Sequence, residues 1–105
     1  MSTVVESREV VIDRIRILEP ELRKLGVKRI ALFGSFVAGR QNEESDVDLL
    51  IEFMPGQKTF EHFDVVYDLL ENAVGRKVEL VTVDSLSPFI GPKILREALD
   101  VFVSA

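Results

Sequence analysis

The run Ser45 to Phe53 (SDVDLLIEF) limits what the rest of this chain can build. From Asp46 onward it alternates. Val47, Leu49, Ile51 and Phe53 are apolar, whereas Asp46, Asp48 and Glu52 are acidic and only Leu50 departs from the second series. Period two is the mark of a strand with one face in a core and the other against something polar. Asp46 and Asp48 therefore leave the same face, with Cα atoms roughly 6.5 Å apart at about 3.3 Å per residue. Two like charges that close beside a buried sheet repel each other and lose hydration. A hard divalent cation offsets both costs, and Mg²⁺ typically takes one or two protein carboxylates together with substrate phosphates. Taken alone, the pattern equally fits an Asp46 that caps a turn and an Asp48 that faces water on an edge strand.

The remaining elements follow from periodicity and punctuation. Val11, Ile15, Leu18, Leu22 and Leu25 form one apolar stripe at helical spacing, with Ser7 as N-cap and Gly26 as the stop. Pro20 interrupts it; because the stripe keeps its phase, the reading is one kinked helix, the alternative being a second helix that starts at the proline. Lys28 to Phe33 reads as a buried strand, Ser35 to Gly39 as a small-residue turn that can open a short helix, and Arg40 to Ser45 as a loop. Thr59 can cap a helix from Phe60 to Val74, stopped by Gly75, with Phe63, Tyr67, Leu70 and Val74 inward. Lys77 to Val83 is rich in β-branched residues and reads as a third strand. The segment after Asp84, which holds Pro88 and Pro92, reads as a turn followed by a helix over Lys93 to Leu99. The apolar Val101 to Val103 is left as an edge strand or a docking patch. The expected fold is α/β (α+β), a small mixed sheet of three to four strands with packed helices.

Two further features bear on chemistry. Gly34-Ser35 follows the first strand directly. Glycine lets a ligand approach the backbone, and the amides and hydroxyl beyond it can receive an anion, although an ordinary strand-ending turn has the same composition. Glu79 is a carboxylate in the middle of VELV. If its strand neighbours the aspartate strand, it can complete a three-carboxylate cluster, share a second metal ion and help deprotonate an attacking hydroxyl. Otherwise it is a solvent-facing residue on an edge.

Together, Gly34 to Phe53 (GSFVAGRQNEESDVDLLIEF) and Gly75 to Val81 (GRKVELV) resemble the minimal nucleotidyltransferases of the DNA polymerase β superfamily. The resemblance extends over nearly the whole chain, including the closing ILREAL. It implies the polymerase-β-like nucleotidyltransferase fold, nucleotide phosphates on Gly34 and Ser35, Mg²⁺ on Asp46 and Asp48, and Glu79 at the position of the third acid. It also implies transfer of AMP from ATP, or of another nucleoside monophosphate, to a hydroxyl. The implied acceptor is a tyrosine of a partner HEPN-domain ribonuclease toxin, which would make this chain an antitoxin. Two departures stand out. Phe36 and Ala38 occupy a turn that is often basic, with Arg40 just beyond it as a substitute charge, and the third acid is a glutamate where aspartate is usual.

Length and composition set the outer bounds. The 105 residues suit one domain, 1–105, with 47% apolar and 30% charged residues. A formal charge of −5 argues against extended nucleic-acid binding, because phosphate contact normally brings a basic excess. There is no cysteine, no long apolar run and no basic-then-apolar start, so the expectation is a cytoplasmic protein without a membrane span. His62 is the sole histidine and reads as surface or packing; Arg76-Lys77 reads equally as a phosphate contact or a solvated strand start. Two other functions fit the same residues: a binding module that neutralises a partner by covering it, and an aspartyl phosphatase. The second is disfavoured, because its nucleophile ends a strand and these aspartates begin one.

Overall fold

Ser7 opens the first helix, α1 (Arg8–Ile17), by accepting a hydrogen bond from the Val10 amide on its side chain. Val11 and Ile15 are the residues α1 buries. The apolar stripe does continue past Pro20, but the helix does not. Leu18 turns the chain, its amide bonding back to the Ile15 carbonyl, and a separate helix, α2 (Glu19–Lys24), begins with Pro20 in its first turn. There the missing proline N–H deprives no carbonyl of a partner. The expected kinked helix is thus two helices, with the phase preserved so that Leu22 still reaches the core. These observations come from a computed structural model, which describes residues 7–39 and 45–103.

Four strands form one sheet: β1 (Val27–Phe33), β2 (Val47–Phe53), β3 (Val78–Thr82) and β4 (Leu99–Val103), in the order β3-β2-β1-β4. β1 runs antiparallel to both β2 and β4, whereas β2 and β3 are parallel. A parallel pair needs a crossover, and α4 (Phe60–Val74) supplies it between them. Its Thr59 side chain accepts from the His62 amide and Gly75 closes it at φ +68°, both as the sequence predicts. Ile30 and Leu32 pair with Ile51 and Leu49, and these residues pack with Val11, Ile15, Leu22, Val66, Leu70 and Val74 in the main core. Two arginines fasten the helices to this frame. Arg14 donates to the Ala73 carbonyl and Arg16 to the Val101 carbonyl.

The last quarter of the chain departs from its sequence reading. After a single 3-10 turn (Val83–Ser85), the helix α5 (Gly91–Glu97) stops two residues before Leu99, and Leu99 begins β4. Of the two readings left open for Val101 to Val103, the edge strand is the one realised, with Val101 and Phe102 buried against β1. Arg23 also lies over the Phe102 ring, 5.4 Å from its centroid. No helix among the described residues is long and apolar enough to cross a membrane. Because Leu49 is wholly buried in a central strand, Leu49→Ala is expected to cost about 2–5 kcal/mol in urea denaturation. A loss below ~1 kcal/mol would mean the core relaxes around it.

Candidate active site

The ends of three strands meet at one edge of the sheet. The Val47 amide donates to the Lys77 carbonyl, which ties the start of β2 to the start of β3. From there the parallel register places Asp48 beside Glu79, and the antiparallel register places Phe33, the last residue of β1, on the other side of Asp48. Side chains of registered neighbours leave the same face. Asp48 and Glu79 accordingly lie side by side, close enough for their carboxyl groups to interact. Burial, the adjoining Glu79 carboxyl and the nearby charge of Asp46 push the Asp48 carboxyl up from 3.8 to about 6.

Gly34 explains how Asp48 can sit where it does. The residue has φ +78° and ψ −148°, a conformation open essentially to glycine alone. A Cβ built on it would fall on Asp48 Oδ2. The glycine thus provides both the turn and the space for the carboxylate. Ser35 starts the four-residue helix α3 (Ser35–Ala38), and Gly39 ends it in the left-handed conformation. Asp46 lies just before β2, near enough for its charge to act on Asp48. Arg40 falls outside the described residues.

Of the sequence-derived site residues, the fold brings together Gly34, Asp48 and Glu79, with Ser35 and Asp46 adjoining them in the chain. Among the described residues no three histidine, cysteine or acidic side chains are gathered closely enough to form a ready metal cage. The donor set nevertheless suits a hard cation. It is all carboxylate oxygen, and burial together with the like charges of Glu79 and Asp46 raises the Asp48 carboxyl, a cost that a bound cation would offset.

Several residues have roles that the sequence did not disclose. Arg76 lies over the buried Phe36 ring of α3, at 5.4 Å, and donates to the Ser45 carbonyl at 3.0 Å. It therefore holds the glycine turn, the approach to Asp46 and the start of β3 in one arrangement. Glu71 accepts from the Tyr67 hydroxyl and from the Val78 amide, securing α4 to β3. His62 has a packing role, its Nδ1 2.7 Å from the Gln57 carbonyl. A cavity of about 440 Å³ opens beside Gly34, lined also by Val37 and Ala38 of α3 and by Lys93 and Glu97 of α5. Nothing local in the sequence points to α5 there, because that contact joins distant parts of the chain.

With this geometry in place, comparison with known proteins is decisive: the nucleotidyltransferase domain model matches residues 15–101. The chain belongs to the nucleotidyltransferase domain family. A Methanocaldococcus jannaschii chain provisionally named a protein adenylyltransferase is 40% identical over 82 residues, 78% of this chain and 87% of that one. The solved structure of a provisionally assigned minimal nucleotidyltransferase superposes with a TM-score of 0.78 at 30% identity, covering 90% of this chain and 95% of the other. A toxin-antitoxin crystal structure with AMP-PNP shares the fold at a TM-score of 0.70 and 22% identity, covering 89% and 73%. This nucleotidyltransferase thus has the fold expected from its sequence.

The raised Asp48 value has a stability consequence with a definite sign. The folded state holds a proton that the unfolded chain gives up at a lower pH, so stability declines as pH rises from 3.8 through about 6. In metal-free buffer, Asp48→Asn should therefore unfold at a higher temperature than the wild type near neutral pH. Since Asp48 is only partly buried and water screens it, the gain is on the order of 1 kcal/mol, and it should vanish toward about pH 4. An Asn variant no more stable than the wild type at neutral pH would remove the like-charge account.

Proposed function

We propose that this nucleotidyltransferase moves AMP from ATP to a hydroxyl of a protein acceptor, a tyrosine of a partner HEPN-type ribonuclease toxin, and so acts as an antitoxin. The observation that carries the chemistry is the Asp48–Glu79 carboxyl pair set against the Gly34 turn, with Asp46 beside it. Asp46, Asp48 and Glu79 would hold Mg²⁺, as two ions. When bound, Mg²⁺ supplies charge neutralisation around the phosphates and polarises the one under attack.

The chain's own groups divide the remaining work. Gly34 admits the phosphates close to the backbone, and Ser35 offers an amide and a hydroxyl to their oxygens. Arg40 adds a positive charge just past the turn. Glu79, which lies beside Asp48 in the sheet, takes the proton of the attacking hydroxyl. The hydroxyl oxygen then bonds to the α-phosphorus as the bond to the bridging oxygen breaks, and pyrophosphate leaves. The partner assignment draws support from the toxin-antitoxin structure with AMP-PNP, and the protein acceptor from the adenylyltransferase name of the archaeal relative. We place the reaction in the cytoplasm, where ATP and a ribonuclease's substrate coexist.

The test is incubation of the chain with labelled ATP, Mg²⁺ and its partner. Label should appear on the partner and fall by roughly 10²-fold or more in the Asp46→Asn, Asp48→Asn double variant. If that variant still neutralises the partner fully and no label moves even with the wild type, neutralisation is by binding alone.

A further inference from the structure

We propose that Lys93 of α5 binds the outer phosphates of the nucleoside triphosphate, an assignment that rests on the nucleotidyl-transfer reading above. Gly34 is common to both features: the Asp48 carboxylate lies against it, and it also lines the 440 Å³ cavity. A triphosphate whose α-phosphate sits by the carboxylates has to extend past Gly34, and the cavity is the space beside it.

Charge decides what the cavity must contain. The carboxylate side is strongly acidic, so a bound polyphosphate needs positive charge at its far end. Val37 and Ala38 of α3 provide none, and Lys93 is the only cation among the described residues that line the cavity. Lys93 forms no hydrogen bond or ion pair with another described residue, whereas Arg29 and Lys58 are engaged by Asp100 and Asp84. Glu97 stands one turn further along the same helix and marks the end of the wall from which phosphate is repelled.

The helix that carries Lys93 is fixed in place before any ligand arrives. Gly91 is buried, and a Cβ there would meet Leu86 Cβ at 3.1 Å, so α5 is seated closely on the preceding segment. Ser87 accepts from the Gly91 amide on its carbonyl and from the Ile90 amide on its hydroxyl, and Pro92 sets the first turn. A flexible ammonium on an anchored helix is a suitable partner for phosphate, since it binds as a point charge without strict geometry.

The experiment is titration calorimetry of the full chain with Mg·ATP and with Mg·AMP. Lys93→Gln should weaken ATP binding roughly ten-fold, the scale of a lost charge-assisted hydrogen bond, and leave AMP binding unchanged. Lys93→Arg should recover most of the loss, and Glu97→Gln should bind ATP as tightly as the wild type or more so. Unaltered ATP affinity in Lys93→Gln, with Asp48→Asn still impaired, would overturn the lysine assignment and leave the transfer reading standing. Equal losses for ATP and AMP would place Lys93 outside the outer-phosphate contact. A wild-type chain that binds no Mg·ATP would overturn both.

Discussion

The site depends on a pairing that the sheet imposes and electrostatics opposes. Parallel registration of β2 and β3 forces Asp48 and Glu79 together, and the cost shows as an elevated Asp48 carboxyl. Much of the surrounding structure serves that juxtaposition. Gly34 gives up a side chain so that the Asp48 oxygen has room. Arg76 braces the turn and the approach to β2 against β3. α4 closes the crossover without which the two strands could not run in the same direction. Groups held in a conflict of this kind characterise functional sites, because stability alone would have removed it.

The distribution of charge extends the same logic. The chain is acidic overall and its candidate site is more so, yet the ligand we propose for it is a polyanion. Such a design works only where cations, whether ions or side chains, are placed at discrete points. The glycine turn leaves space and carries no basic residue of its own among the described residues. Placing the compensating lysine on α5 separates the two tasks: the turn shapes the opening and a remote helix supplies the charge.

How much could be read from the sequence varied with the range of the interaction. α4 was legible from end to end because Thr59 and Gly75 are local signals that act within one turn of the helix. The alternation from Val47 to Phe53 likewise encoded its own strand, and the apolar positions Val47, Leu49 and Ile51 are buried. The break at Leu18 was not legible, since an in-phase stripe reports which side faces the core and not whether the backbone is continuous. β4 was only one of two open readings, because its pairing depends on the free edge of β1, far away in the chain. Glu79 was recognisable as an odd residue in a strand, but its meeting with Asp48 rests on register. A slip of one residue would have turned it to the opposite face. Arg76 and Lys93 carried no distinctive local pattern, and their surroundings exist only in the folded chain.

β3 is an outermost strand, held to the sheet by β2 alone on one side. Its backbone bonds are therefore among the easier ones to open while β1, β2 and the helical layer stay intact. Should β3 peel away, Glu79 leaves Asp48 and the carboxyl pairing disappears without general unfolding. The paired arrangement is thus a separate equilibrium laid over the folded one, and anything that clamps this margin of the sheet raises the paired fraction.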